Sequence, residues 1–224
     1  TVRDAITHYY NGWHLQRVIY TESHDEVANG HSRLPEEIWP GNAGSWYSKK
    51  RSTLAAGILF TAPGIPMIFQ GQEFLEDGYF SDGDPLDWSK TTTYAGILQL
   101  YKDLIKLRRN WYNNTRGLRG NNVNVYHINN TDKVIAYHRW DQGGPGDDVV
   151  VVANFANRAY TSYNIGMPRG GTWYVRFNSD WNGYSSDFGN WNSYNTTANS
   201  GAKDGMNYNA NVGIGPYTVI ILSQ

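Results

Sequence analysis

Short apolar runs alternate with longer amphipathic segments in the first half of the chain. Residues 17–21 and 65–69 are apolar-leaning runs of strand length, and they predict β-strands. Residues 45–61 and about 97–110 carry apolar side chains at helical spacing and predict helices. Residues 1–12 are typical of the end of a helix closed by a glycine. This alternation of strands and helices indicates an α/β fold.

Beyond residue 113 the pattern changes to short strands separated by turn residues. Five segments predict strands: residues 123–128, 134–140, 148–155, 173–177 and 217–222. The Asn-, Gly- and Ser-rich stretch from residue 178 to about residue 211 predicts an extended loop. Strands without intervening helices favour an antiparallel β-sandwich. We therefore expect two domains, residues 1–112 and residues 113–224.

A polar motif follows the first predicted strand. His24 and Asp25 stand in the segment TESHDEV, at what would be the carboxyl end of that strand. In strand–helix folds ligands bind at this end. Packing does not explain Asp25, because an ionised carboxylate is costly to bury unless it is paired. The motif predicts a functional site, with a capping pair in a loop as the alternative.

Composition excludes several classes of function. The net charge is −1 and charged residues make up 17%, so no basic excess favours a nucleic-acid partner. No apolar stretch reaches the roughly 18 residues that a membrane-spanning helix needs. Without cysteine, thiolate catalysis, disulfides and cysteine-based zinc sites are excluded, and the compartment stays open between cytoplasmic and secreted.

Aromatic residues reach 15% of the chain, with 17 Tyr and 9 Trp. Many stand among amides, as in residues 189–194. Flat rings bordered by amides suit the faces of sugars, and they also suit ordinary β-sheet packing.

Three segments resemble the α-amylase superfamily, glycoside hydrolase family 13, and within it the α-glucan branching enzymes. SHDEV at residues 23–27 is similar to the segment at the seventh barrel strand of that family. PGIPMIFQGQEF at residues 63–74 resembles the eighth strand and its loop, and DPLDW at residues 84–88 resembles the segment that follows. The resemblance implies that residues 1–112 are the C-terminal portion of a (β/α)8 TIM barrel, about strands 7 and 8 with their helices. Residues 113–224 would be the C-terminal all-β sandwich domain.

The family's chemistry gives the polar residues roles. Its members act on α-glucosidic bonds with retention, through a nucleophile and an acid/base about 5–5.5 Å apart. The resemblance implies that Asp25 is a third carboxylate, which stabilises the transition state, and that His24 binds a sugar hydroxyl. Four further residues are candidates for substrate binding: Glu26, Glu22, Gln70 and Glu73. Each has a plainer interpretation: a solvated acid for Glu26, pairing with a cation for Glu22, and framework hydrogen bonding for Gln70 and Glu73.

The resemblance also implies what the chain lacks. The family's nucleophile and acid/base lie on the fourth and fifth barrel strands, which precede the segments matched here. We therefore expect a piece of a larger enzyme that is inactive alone. Its partners would be the N-terminal part of the barrel and an α-glucan such as starch, glycogen or a maltooligosaccharide. No cofactor is implied, and no metal, because Asp82-Gly83-Asp84 lacks the ligand spacing of an EF-hand.

Two alternatives to an enzyme remain open at this point. One is a non-catalytic starch- or glycogen-binding module, and the other is a structural fragment without sugar binding. Hydrolysis and branching are not separated by these residues, because the choice depends on acceptor subsites.

Overall fold

Six helices and a small parallel sheet form the first half of the chain in the computed structural model, which describes all residues 1–224. The helices are α1 (Val2–Thr7), α2 (His24–Ala28), α3 (Leu34–Ile38), α4 (Trp46–Thr61), α5 (Lys90–Thr93) and α6 (Ala95–Arg108). Strands β1 (Val18–Ile19) and β2 (Ile65–Pro66) pair in parallel. None of the helices combines the length and apolar character that crossing a membrane requires.

The two long helices confirm their predictions. Helix α4 begins after Ser45, whose hydroxyl accepts a hydrogen bond from the Ser48 N–H at 3.1 Å. It ends at Thr61, two residues before Pro63, because the residue preceding a proline avoids the helical region. Helix α6 ends at Arg108, and the basic side chains of its last turn complement the negative end of the helix dipole.

The two predicted strands of this half are present but shorter than expected. β1 and β2 each have two residues, with Val18 opposite Ile65 and Ile19 opposite Pro66. Each strand has only the other as a ladder partner, which limits how far the pairing extends. Arg17 joins the strands from one end, because its guanidinium donates to the Pro63 carbonyl at 2.8 Å.

Eight antiparallel strands form the second half. They are β3 (Asn122–Asn129), β4 (Val134–Trp140), β5 (Val149–Asn154), β6 (Tyr160–Met167), β7 (Gly171–Asn178), β8 (Thr196–Lys203), β9 (Met206–Ile214) and β10 (Thr218–Ser223). Their order in the sheet is β3-β4-β5-β10-β7-β8-β9-β6. The five strands predicted from sequence are confirmed as β3, β4, β5, β7 and β10.

The loop expected over residues 178–211 is wrong from Thr196 onward, where β8 and most of β9 lie. In β8 only Ala198 is buried, so the strand carries almost no apolar signal. Amides pair across the exposed face instead: the Asn164 side chain donates to the side chains of Asn209 and Asn211, both at 3.0 Å. Polar ladders of this kind stabilise strands that hydrophobic patterning does not detect.

The curled sheet has an apolar core on each face. The inner core joins the two ends of the sheet across a sandwich and includes Val152, Trp173, Ile165 and Val212. The other core lies between the sheet and helices α4 and α6, and it continues across the predicted boundary at residue 112. At Gly57 the approach is so close that an added Cβ would lie 2.9 Å from Cβ of Val219. The two halves are therefore packed as one body.

Candidate functional site

The candidate site lies where β1 and β2 end side by side. After β1 the chain reaches Ser23. Its hydroxyl accepts a hydrogen bond from the Glu26 N–H at 3.3 Å and caps α2. This cap makes His24 and Asp25 the first two residues of α2. After β2 the chain passes Gln70 and forms a 3₁₀ turn at Gln72–Phe74. The two segments that carry the predicted polar residues thus leave the parallel sheet at the same edge.

His24 and Asp25 are directed to solvent as a pair. Nε2 of His24 lies 3.2 Å from Oδ1 of Asp25, and the side chains are 63% and 79% exposed. The imidazole stands against two phenyl rings, with centroids 6.5 Å from Phe69 and 6.2 Å from Phe80. A carboxylate and an imidazole beside an apolar wall can bind the hydroxyls and the ring face of one sugar.

Glu22, unlike this pair, is buried. Its Oε1 is 3.3 Å from Nη1 of Arg33, and its Oε2 accepts from the Leu34 N–H at 2.6 Å. Burial raises the pKa of Glu22, and the Leu34 N–H and the Arg33 charge act against that rise. Both oxygens are engaged inside the protein, as the pairing interpretation of Glu22 expects.

Arg33 lies in the loop after α2 and is buried, whereas the polar residues around it in the sequence favour a position at the surface. Its guanidinium lies 3.9 Å from the centroid of Phe69 and donates to the Gln70 carbonyl at 2.8 Å. It also donates to the Gly78 carbonyl at 3.3 Å. Arg33 therefore joins the segments after β1 and β2 and supports the ring that contacts His24.

The residues after β2 divide into framework and exposed positions. Gln72 is buried, and its amide donates to Oγ1 of Thr21 at 2.5 Å and accepts from the Phe69 N–H at 3.2 Å. Gln70 is exposed, and its side chain makes no hydrogen bond within the chain. Glu73 is half-buried, with Oε2 covered and unpartnered. Glu26 is exposed on α2. Gln70, Glu73 and Glu26 thus keep polar atoms that the fold does not use.

The loop of residues 76–87, which we call the Glu76 loop, is stabilised by Glu76 and covers one side of the site. It was not identified from the sequence. Burial raises the pKa of Glu76, but the N–H of Gly78, the Lys90 ammonium and the N–H of Asp87 lower it to about 2. The three donors lie 2.9 Å from its oxygens. The Asp77 N–H is a fourth donor to the Glu76 carboxylate, at 3.0 Å. Beyond Gly78 the loop carries Phe80, whose ring centroid lies 6.2 Å from that of His24. Phe80, Arg33 and Gln70 line a cavity of about 210 Å³. Donors to one carboxylate give no periodic signal in the sequence, so only a motif match in this segment could have indicated the loop.

A larger cavity lies elsewhere in the chain. It measures about 850 Å³ and is predominantly apolar, with Val18, Ile19, Leu54 and Ile58 among its lining residues. Neither His24 nor Asp25 lines it. It lies along the unpaired edge of β1, so its place in the fold indicates a packing surface rather than the polar site.

Comparison with known protein families gives a match in the second half of the chain. The family described as "Alpha amylase, C-terminal all-beta domain" matches residues 126–224. Among curated proteins, the 1,4-alpha-glucan branching enzyme GlgB of Prochlorococcus marinus (strain MIT 9301) is 32% identical over 195 residues, which are 84% of this chain and 24% of that protein. GlgB of Dechloromonas aromatica (strain RCB) is 29% identical over 245 residues, covering 99% of this chain and 37% of that protein. The chain thus spans between a quarter and two fifths of the length of these relatives.

Solved structures share the fold. Pullulanase from Anoxybacillus sp. LM18-11, complexed with maltotetraose, matches all of this chain and 29% of its own with a TM-score of 0.65 at 21% identity. The α-amylase from H. orenii matches 92% of this chain and 39% of its own, with a TM-score of 0.57 at 18% identity. The branching-enzyme relatives and the matched domain show that the chain belongs to the α-amylase superfamily, glycoside hydrolase family 13, with its C-terminal all-β domain in residues 126–224.

Proposed function

We propose that the chain is part of a retaining enzyme that acts on the α-glucosidic bonds of starch- or glycogen-like glucans. The enzyme is a 1,4-α-glucan branching enzyme or an α-amylase-type glycoside hydrolase. One observation carries the proposal: His24 and Asp25 are exposed together, beside aromatic rings, at the carboxyl ends of two adjacent parallel strands. The similarity to branching enzymes supports the choice of substrate.

Residues 1–112 are, in this proposal, the C-terminal part of a (β/α)8 barrel, about strands 7 and 8 with their helices. Parallel strands with an intervening helix are the repeating unit of that barrel. A pair of two-residue strands is too small a sheet to be stable alone. Val18 is 51% exposed on the unpaired edge of β1, beside the apolar cavity of about 850 Å³. Further strands and helices of the barrel would cover this surface.

Asp25 stabilises the positively charged sugar as the glycosidic bond breaks, and His24 donates a hydrogen bond to a hydroxyl of the same sugar. Hydrogen bonds that involve a charged group contribute about 1.5–3 kcal/mol each, and these would strengthen in the oxocarbenium-like transition state. Gln70 and Glu26 offer exposed polar atoms for neighbouring sugar units. Glu73, whose Oε2 is covered, would bind a sugar unit through Oε1. Glu22 acts as a positioning residue through Arg33.

The nucleophile and the acid/base belong to other strands of the barrel in this proposal. The chain alone would therefore bind glucan without cleaving or transferring it. Incubation of the purified 224-residue chain with soluble starch should release no reducing ends and change no iodine staining. Catalytic turnover by this chain would contradict the assignment of those two carboxylates to other residues.

The test of the site uses the complete enzyme. Asp25→Asn should lower turnover of maltooligosaccharide about 100-fold or more, as removal of one transition-state partner does in other enzymes. Asp82→Asn, a change at an exposed carboxylate of the Glu76 loop, is the matched control and should leave turnover unchanged. Equal turnover in both variants would contradict the proposal.

A second candidate function is glucan binding without catalysis. The exposed rings of the all-β half, such as Trp181 at 46% and Tyr174 at 43%, favour it. It predicts that the complete protein binds glucan and has no hydrolase or branching activity, so the same starch assay on the complete protein separates the two.

A further inference from the structure

A groove on the all-β half places one indole beside unused polar atoms. It lies between the end of β7 and the segment Asn178–Trp191, and we call it the Trp181 groove. Its volume is about 280 Å³, and its lining includes Arg176, Trp181 and Asn190 over the buried rings of Phe177 and Tyr184. None of these residues belongs to the site at His24 and Asp25.

Trp181 is held in a fixed orientation. Its ring stands edge-on to Tyr184, with centroids 4.9 Å apart at 88°. Gly183 lies so close that an added Cβ would fall 2.4 Å from two carbons of the indole. One side of the ring is thus covered by protein, while the side chain remains 46% exposed. A ring fixed in this way loses little freedom when a ligand stacks on it.

The segment under Trp181 is anchored in the core. Asp180 is completely buried and pairs with Lys50 of α4 at 2.6 Å. Its other oxygen accepts from the Trp191 N–H at 2.8 Å. At Gly96 of α6 an added Cβ would lie 2.3 Å from the Tyr184 carbonyl oxygen, so the segment sits directly on that helix. The groove is therefore preformed rather than a mobile surface loop.

Two polar groups in the groove have unused hydrogen-bonding capacity. Arg176 donates through Nε to Ser223 at 2.9 Å, and its two terminal nitrogens make no hydrogen bond within the chain. Asn190 is exposed, its backbone has φ +46°, and its amide makes no hydrogen bond within the chain. No carboxylate lines the groove. A nucleic acid would need several cations along its backbone, and Arg176 is the single one here.

We propose that the Trp181 groove is a second α-glucan site, which binds the chain away from the bond that reacts. Trp181 stacks on the apolar face of one glucose unit, and Arg176 and Asn190 donate to its hydroxyls. The choice of an α-glucan as ligand rests on the proposed function. An open groove of this size suits a chain contacted on one side rather than a ligand enclosed in a pocket of roughly 300–1,000 Å³.

Binding of maltoheptaose to the 224-residue chain, measured by isothermal titration calorimetry, tests this. Trp181→Ala should raise the Kd about tenfold, and Asn190→Gly, which suits the left-handed backbone, should raise it about fivefold. Gly183→Ala should also weaken binding, because it keeps the indole but displaces it. Trp39→Ala removes a ring of equal exposure, 45%, and should leave the Kd unchanged. Circular dichroism confirms that each variant is folded.

Four results would overturn the second site. The first three are no binding by the unmodified chain, unchanged binding in Trp181→Ala, and equal losses in Trp181→Ala and Trp39→Ala. Binding abolished by Asp25→Asn alone would place maltoheptaose at the first site, which supports the proposed function and contradicts this inference. Failure of the proposed function itself would show in the turnover of the complete Asp25→Asn enzyme, a measurement in which Trp181 takes no part.

Discussion

At the residue scale, burial separates two kinds of polar side-chain pair in the site. His24 and Asp25 are exposed, and even a fully charged pair at the surface contributes only about 0–1 kcal/mol to stability. Glu22 and Arg33 are covered, and removing one partner from a buried pair costs about 3–5 kcal/mol. The first pair is thus free to serve a ligand, whereas the second stabilises the loops that present it.

Arg33→Met should lower the free energy of unfolding by about 3–5 kcal/mol, because it leaves the Glu22 carboxylate buried without its cation. The double variant Glu22→Leu/Arg33→Met should recover most of that loss. Urea unfolding of the 224-residue chain measures both. If the free energy of unfolding falls only slightly in the single variant, or does not recover in the double variant, the pair does not stabilise the loops.

The motif around His24 could be predicted from sequence, but the buried residues that hold the motif in place could not. His24 and Asp25 are adjacent and follow a strand, so a short motif contains them. Arg33 binds partners from three separate segments, and a lone arginine after a histidine and a serine gives no sign of burial. Only the folded chain brings those partners together.

At the element scale, the loop that begins with Glu76 positions Phe80 beside His24. Hydrogen bonds from the loop's own backbone stabilise the ionised carboxylate, and Lys90 at the start of α5 fixes its other end. Loops of this kind carry function when a rigid scaffold positions them.

The Glu76 loop should be acid-sensitive. The pKa of Glu76 is about 2 in the folded protein against an ordinary value of 4.5, so the folded state resists its protonation. Its contribution, on the order of 3 kcal/mol, is complete above pH 4.5 and is lost as the pH falls towards 2. Urea unfolding between pH 2 and 5 measures this slope, and Glu76→Gln should flatten it. An equal slope in both proteins would contradict the role of Glu76.

Helix α4 is joined to the segment Asn178–Trp191 by two lysine–aspartate pairs of different burial. Lys50 and Asp180 are both fully buried, whereas Asp187, the partner of Lys49, is 43% exposed. Lys50→Met should therefore cost about 3–5 kcal/mol, and Lys49→Met about 1 kcal/mol or less. Urea unfolding compares the two variants. Equal costs would show that burial does not distinguish these pairs.

The elements predicted from sequence are those with an apolar face. Strands β5 and β10 are buried along their whole length and were found. Strands β6, β8 and β9 were missed. β8 and β9 place amides, glycines and hydroxyls on an exposed face, a composition that is also typical of loops.

At the scale of the whole molecule, the two halves share a core. The apolar cluster that contains Leu54 and Leu104 of the helices also contains Val151 and Ile221 of the sheet. We expect one cooperative unfolding transition, because neither half buries this surface alone. Tryptophan fluorescence and far-ultraviolet circular dichroism should give coincident urea curves. Two separate transitions would show that the halves are independent domains.

The proposed barrel is a prediction at the same scale. In this proposal the parallel pair β1–β2, with α4 between its strands, is one repeat of the barrel, and another repeat packs against the apolar surface beside β1. The catalytic claim depends on this arrangement, because the proposed barrel would direct Asp25 towards the same mouth as the carboxylates of other strands.

The most direct test of the catalytic claim is the steady-state kinetics of the complete enzyme carrying Asp25→Asn. If Asp25 binds the sugar most strongly in the transition state, kcat and kcat/KM should both fall about 100-fold or more, with KM nearly unchanged. The free energy of unfolding should change by less than about 0.5 kcal/mol, since the side chain is 79% exposed. Near-normal kcat with a raised KM would show that Asp25 only binds substrate, and normal values of both would contradict its place in the active site.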